Sequence, residues 1–295
     1  MPLTKNRGES SLKKQIILVL AAVAIIAVLF FLGKTTTEKK AVAPEKQPTE
    51  QVDAFDIQKF LQQEKAKLTP TQKETLSKIE ENSSTTDTSI SQQRILLNTA
   101  NFWKDSVQRI ELYAFYMNEI SKLDYSEKNL TFAAQIFLSL LREEHDTAKL
   151  EWETDQAVQL FSKAIELNPA DEDLKIGLGS SYVFGKGRNG NPQETMKGIQ
   201  ELLSVVRRDS TNMKAQLVLG IGGLVSGQYE KAVSRLLKVV SNEPTNLEAV
   251  AFLADAYAAI GDKAAAIKWY TLSKRLANNP SYSKEVDNRI KLLNQ

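Results

Sequence analysis

From Ile16 to Leu32 every residue is apolar (IILVLAAVAIIAVLFFL), with Lys13, Lys14 and Lys34 at its edges. With Gln15 and Gly33 the run approaches the roughly 20 residues that carry a helix across a hydrocarbon core. Inside lipid a backbone must satisfy its own hydrogen bonds, so the run reads as helix, and the lysines as snorkelling anchors. It is longer than the roughly 7–15-residue apolar stretch of a cleaved leader. Ala41-Val42-Ala43 has the look of a cleavage site, but it lies well beyond the run and precedes Pro44. An uncleaved anchor is therefore expected over 15–33, behind a short basic tail over 1–14. Lys5, Arg7, Lys13 and Lys14 before the run nearly balance Lys34, Lys39, Lys40 and Lys46 after it. The closeness of Lys13-Lys14 and the shortness of the tail favour a cytoplasmic tail.

Residues 34–52 show no apolar periodicity, and Pro44 and Pro48 interrupt any helix. A flexible tether is expected there, spanning roughly 25 Å. Phe55, Ile57, Phe60, Leu61 and Leu68 then fall at helical spacing. Pro70 opens a second helix that runs to about Glu81, and the polar stretch Asn82 to Ser89 (NSSTTDTS) reads as a linker. Residues 53–92 are thus expected to be a loosely attached helical hairpin plus linker. Self-association through Phe55, Phe60 and Leu61 is the alternative use of those side chains.

Over 93–295 the pattern repeats. Leu219-Gly220 recurs as Leu253-Ala254, Ala232 and Leu236 recur as Ala266 and Tyr270, and Pro244 answers to Asn278, each 34 residues on. Such a period in small and apolar positions describes two antiparallel helices per unit, stacked so that neighbours bury a continuous core. The first helix carries a small residue and an aromatic three residues later, as in Leu178, Gly179 and Tyr182, or Leu253, Ala254 and Tyr257. The second carries Ala157, Phe161 and Ala164 and closes at Pro169. Asn212 and Asn246 are suited to cap first helices, and Gly227 and Gly261 to end them in the left-handed conformation. Five units are expected, over 93–126, 127–171, 172–212, 213–246 and 247–280. A final helix follows over 281–293, with Val286, Ile290 and Leu293 turned inward. Two units are too long for the period. The surplus falls around 143–153 and over 183–197, both read as inserted loops, the second holding GKGRNGNP. The fold class expected is all-α, a transmembrane helix followed by an α–α superhelix of about five helix pairs.

These residues resemble the tetratricopeptide repeat family, whose first-helix signature is matched by Leu178, Gly179 and Tyr182. Ala157, Phe161, Ala164 and Pro169 match its second helix. The resemblance covers about two-thirds of the chain and implies a solenoid that holds proteins. The layout of basic tail, anchor and repeats is also similar to bacterial envelope proteins of the family, some of which attend secretion or cofactor-insertion machinery. It implies a single-pass protein of the bacterial inner membrane with its repeats in the periplasm, serving as a scaffold. A chaperone-like accessory of the export apparatus, or a cytosol-facing receptor with a signal anchor, are the alternatives. In this family the inner surface is made mostly by first helices. Ile176, Ser180, Val183, Leu217, Ile221 and Leu224 would there form an apolar groove for a partner's amphipathic helix, unless the chain's own N-terminal helices or final helix cover it. A known subclass clamps chaperone tails with Lys and Asn. None of Ile176, Ser180, Leu217, Ile221, Ala251 and Asp255 supplies that lysine.

Composition narrows the chemistry. There is no cysteine, so thiol catalysis, thiolate zinc sites and disulfides are excluded. A formal net charge of +2 gives no reason to expect nucleic acid. His145 is the only histidine, and its neighbours Glu143, Glu144 and Asp146 diverge along the chain, so neither a metal set nor a nucleophile–base pair can be assembled. Gly185 to Gly190 is glycine-rich, but Lys186 precedes Gly187 and helices flank the segment, unlike a phosphate loop. Trp103, Trp152 and Trp269 are expected in packing roles. No catalytic residue, cofactor, metal, nucleic acid or small-molecule substrate is expected; the expected partners are other proteins and, through Ile16 to Leu32, the lipid bilayer.

Overall fold

Most helices of this chain open on a short polar side chain that accepts a first-turn backbone N–H. Asp56, Ser126, Asp146, Asp171, Asn191, Asn212, Asn246, Asp262 and Asn279 all do so, satisfying donors that a helix start otherwise leaves unpaired. The computed structural model describes residues 54–81, 89–188 and 190–295. The expected basic tail, anchor and tether, and most of the expected linker, lie outside these residues. Among the described residues there are thirteen α-helices and no strand.

The helices are α1 (Ile57–Lys67), α2 (Pro70–Glu81), α3 (Ser89–Asn101), α4 (Ile110–Leu123), α5 (Glu127–Leu140) and α6 (Thr147–Leu167). They continue as α7 (Glu172–Ser181), α8 (Pro192–Arg208), α9 (Met213–Val225), α10 (Tyr229–Asn242), α11 (Leu247–Ala259), α12 (Lys263–Ala277) and α13 (Pro280–Leu293). A π-helical turn extends α3 through Phe102–Ser106 and another extends α7 through Tyr182–Lys186. From α3 onward the helices pack as five pairs, each pair on the next, and α13 packs on α12. Gly227 and Gly261 turn the chain between the helices of the last two pairs at φ +73° and +85°, values that cost glycine nothing and other residues much.

The repeating small and apolar positions supply the core. Ala157, Phe161, Ala164, Leu178, Leu219, Ala232, Leu236, Leu253, Ala254, Ala266 and Tyr270 are buried, as are Gly179 and Gly220, while Tyr182 and Tyr257 are half-buried. Pro169 and Pro244 are exposed in the turns that follow α6 and α10. On α13, Val286 is buried, and Ile290 and Leu293 pack with it beside Ala254, Ala266 and Tyr270.

Two expectations are corrected. The N-terminal hairpin is not loosely attached. Leu61, Leu68 and Leu76 share a core with Phe102, Trp103 and Leu112, and the Phe55 ring lies 5.1 Å from that of Trp152. Gln72 Nε2 donates to the Ser106 carbonyl at 2.8 Å. Glu64, 3% exposed, receives Lys67 Nζ at 2.6 Å and Arg109 Nε at 2.5 Å. Phe55, Phe60 and Leu61 are thus engaged within the chain. The surplus around 143–153 is also not a loop from end to end. From Thr147 onward it is helix, and it makes α6 the longest helix of the array, at 21 residues. In this extension Trp152 has Phe55, just before α1, and Phe137 of α5 to pack against, and Leu150 joins the main core, which explains why it winds as helix.

Candidate protein-binding face

The first helices α5, α7, α9 and α11 lie side by side in succession. Of the six residues expected to line an open groove, four are sealed. Val183 is 0%, Ile221 3%, Ser180 4% and Ile176 7% exposed, and only Leu217 and Leu224 are part-exposed. Those four residues therefore do not line an open surface in this structure. The cause is close stacking: a Cβ built on Gly222 of α9 would stand 3.4 Å from Val183 Cγ2, so α9 comes down directly on the π turn after α7. Neighbouring helices of the array bury these residues, whereas the cover expected from the sequence was the N-terminal helices or the final helix.

The covering reaches further along the array. Arg142, at the corner between α5 and α6, donates from Nη1 to Glu248 Oε1 of α11 at 2.5 Å. Its guanidinium sits 4.5 Å above the Phe184 ring. One helical turn after Glu248, Phe252 packs on the cluster that holds Ile176, Val183 and Phe184, and also on the cluster of the last two pairs. Lys214 of α9 pairs with Asp173 of α7 at 3.0 Å. Among the apolar side chains that first helices leave at the surface are Leu97 on α3, Phe132 on α5 and Val225 on α9.

The two surplus segments meet each other. Arg188 donates to the carbonyls of Leu141 (2.6 Å) and Glu144 (2.7 Å), and Lys186 Nζ binds Asp155 at 2.7 Å and Glu151 at 3.3 Å. The loop after α7 is thereby pinned to the corner before α6. A pocket of about 230 Å³ opens beside it, lined by residues that include Gly187, Pro192, Thr195 and Val225.

A charged cluster surrounds the start of α6. Lys149 Nζ lies 2.8 Å from both Glu111 and Glu144. Burial alone would lower this ammonium's pKa, but the two carboxylate bonds outweigh burial and hold it above its ordinary value. The same bonds, with the Asp146 and His145 backbone N–H groups, keep Glu144 below the usual range against the opposing effect of burial. One turn on, Glu153 is fully buried, and neither carboxyl oxygen has a hydrogen-bond partner. Burial and then the nearby Glu144 charge push it up to about 8. A second cluster closes the other end: Tyr270 donates its hydroxyl to Asp255, which also receives Arg289 Nη1 at 2.9 Å. Burial, then the hydrogen bond to Asp255, raise the tyrosine to about 12. His145 is exposed in the corner before α6, and among the described residues no group of three or more His, Asp or Glu side chains is placed to hold a metal ion. No helix among the described residues is long and apolar enough to cross a membrane; the run Ile16 to Leu32 lies outside them.

Residues 224–284, which hold α10, α11 and α12, match the family model of the tetratricopeptide repeat. Over these residues the chain carries the tetratricopeptide repeat. A stretch of 133 residues of the chain is 26% identical to the human protein named Tetratricopeptide repeat protein 6, covering 43% of this chain and 25% of that one. The chain thus spans about a quarter of the length of that relative. Among solved structures the chain is similar to TTC0263 of Thermus thermophilus, a thermophilic tetratricopeptide repeat protein. The TM-score is 0.51 at 15% identity, over 68% of this chain and 98% of that one, a likeness of fold. MamA of Desulfovibrio magneticus RS-1 aligns with a TM-score of 0.46 at 16% identity, over 63% of this chain and 95% of that one. Repeat arrays in general present surfaces to protein partners; Arg142 and Glu248, which pair across 106 residues, carry no repeat signature and were not legible as a pair.

Proposed function

We propose that this protein is a non-catalytic scaffold that holds other proteins and is tethered to a membrane by Ile16 to Leu32. The scaffold reading is carried by the match of residues 224–284 to the tetratricopeptide repeat. Arrays of this kind offer long surfaces of fixed curvature to their partners. The tether reading is supported by an unbroken apolar run bounded by lysines. The placement of Lys13 and Lys14 supports a cytoplasmic tail, and hence an array on the periplasmic face of a bacterial inner membrane.

In-cell crosslinking followed by purification of the full chain tests the scaffold: a defined set of co-purifying proteins is expected, and recovery of the chain alone would overturn it. Carbonate washing tests the tether, which is abandoned if the intact polypeptide enters the aqueous fraction. Protease added to spheroplasts should digest the array; protection would move it to the cytoplasmic side and favour the receptor alternative. Suppression of aggregation of many unrelated unfolded chains would favour the chaperone-like alternative over a defined partner.

A further inference from the structure

We propose that Glu153 is a proton-operated switch on Lys149, the ammonium that ties α1, α4 and the corner before α6 together. Lys149 Nζ binds Glu111 of α4 and Glu144 of the corner, each at 2.8 Å. It also lies 5.6 Å from the centre of the Phe60 ring of α1. Glu153 follows one turn later and shares that face of α6. The face is the one turned to α4, because Gln156, a further turn on, accepts Asn118 Nδ2 of α4 at 2.8 Å. Glu153 is 0% exposed, and among the described residues neither of its oxygens has a hydrogen-bond partner. One ammonium therefore serves a seam with three carboxyl groups, and two of them already hold it. A third carboxylate there would lack a counter-charge, so Glu153 stays buried only as the neutral acid. The other charges around it give no relief. Glu144, Glu111 and Asp146 all oppose its ionisation. Lys186, from the π turn after α7, is taken by Glu151 and Asp155, and Arg142, after α5, by Glu248. Lys67 of α1 and Arg109, before α4, are taken by Glu64. From Phe55 and from α5, aromatic rings rather than charges meet Trp152 beside it.

Loss of the proton to solvent redirects Lys149. The ammonium stands one turn from Glu153 on the same helix, so turning to it is the shortest way to neutralise the new charge. It must then leave Glu111, Glu144 or both, and with them the Phe60 ring. Burial, and after it the Glu144 charge, raise the Glu153 carboxyl to about 8. The arrangement with Lys149 on Glu111 and Glu144 holds this proton more tightly than the redirected one. It therefore prevails at lower pH and yields as pH rises through that value. The change is local. Arg188 still donates to the Leu141 and Glu144 carbonyls, and Asn118 still donates to Gln156. The repeats thus stay packed while α1 and the first turn of α6 loosen.

Two measurements on the full chain test the switch. Carboxyl carbon NMR of protein labelled at glutamate should show one group titrating at about 8, absent from Glu153→Gln. Amide exchange, corrected for the intrinsic effect of pH, should quicken about tenfold or more over 57–67 and 144–150 between pH 6 and pH 9. It should stay unchanged over 263–293. Glu153→Gln keeps a neutral side chain of the same shape and should abolish the pH response. The switch is overturned if no glutamate titrates above pH 7. It is equally overturned if Glu153→Gln keeps the response, which would then belong to another group such as the exposed His145. Exchange that quickens by the same factor in every helix also overturns it, since that would be a general loss of stability.

Discussion

Gly179 of α7 and Gly198 of α8 face each other with only hydrogen between them. A Cβ on Gly179 would stand 2.9 Å from the Gly198 carbonyl oxygen, and a Cβ on Gly198 would stand 2.8 Å from that of Gly179. Backbone cannot withdraw as a flexible side chain can, so the third pair is set at a separation that only this pair of residues allows. Gly198→Ala should therefore cost about 1–3 kcal/mol, the usual range for overpacking, and Gly179→Ala a similar amount. Urea unfolding of each variant checks this; an unchanged midpoint would show that the helices shift apart freely.

Glu153 makes stability depend on pH in the unusual direction. In the unfolded chain its carboxyl has an ordinary value of 4.5, whereas burial pushes it to about 8 in the fold. Between those values the folded state holds a proton that the unfolded state lacks, so stability falls as pH rises through that window. The penalty amounts to a few kcal/mol in order of magnitude. Glu153→Gln keeps the shape without the ionisation. It should raise stability at pH 8 far more than at pH 5, as read from urea midpoints at the two values.

Glu64 works the other way. Burial opposes its charge, but Lys67 and Arg109 outweigh burial and keep its pKa below the ordinary 4.5. The fold gains from this carboxylate above the unfolded value and loses the gain as pH falls through the lower folded value. Arg109→Met should leave the nearly enclosed carboxylate with Lys67 alone and cost roughly 1–3 kcal/mol, since the arginine itself is part-exposed. Adding Glu64→Gln should recover part of that loss; additive losses in a double-mutant cycle would refute the coupling.

The contact of Phe55 with Trp152 should be felt locally. An aromatic pair of this kind contributes about 0.5–1.5 kcal/mol beyond the area it buries. Phe55→Ala is expected to speed amide exchange over 57–67 while leaving α9 to α12 unaltered. Uniform exchange across the chain would mean that α1 does not dock as a separate element.

Local chemistry was readable along the chain. Asn212 and Asn246 accept the N–H groups of Ala215 and Ala249 as caps should, and Gly227 and Gly261 adopt the conformation that ends a first helix. These features depend on residues three or four positions apart, which periodicity reports directly. What escaped was long-range. The burial of Ile176, Val183 and Ile221 depends on how closely α9 approaches α7, and that distance is set by glycines whose partners lie in other helices. The helical start of α6 was misjudged because polar residues such as Glu143, Glu144 and Asp146 precede it, and Trp152 becomes a core residue only once α1 is present. Arg142 and Glu248 stand in no motif, and only the coiling of the array makes them neighbours.

Phe55 also determines where mechanical load enters. Any pull transmitted along the backbone from upstream of residue 54 arrives first at that ring and its seat on Trp152, nearly a hundred residues further on. The strain would be borne sideways near the start of a long helix, so the array would resist traction as a glued joint does in shear, rather than peeling open one unit at a time.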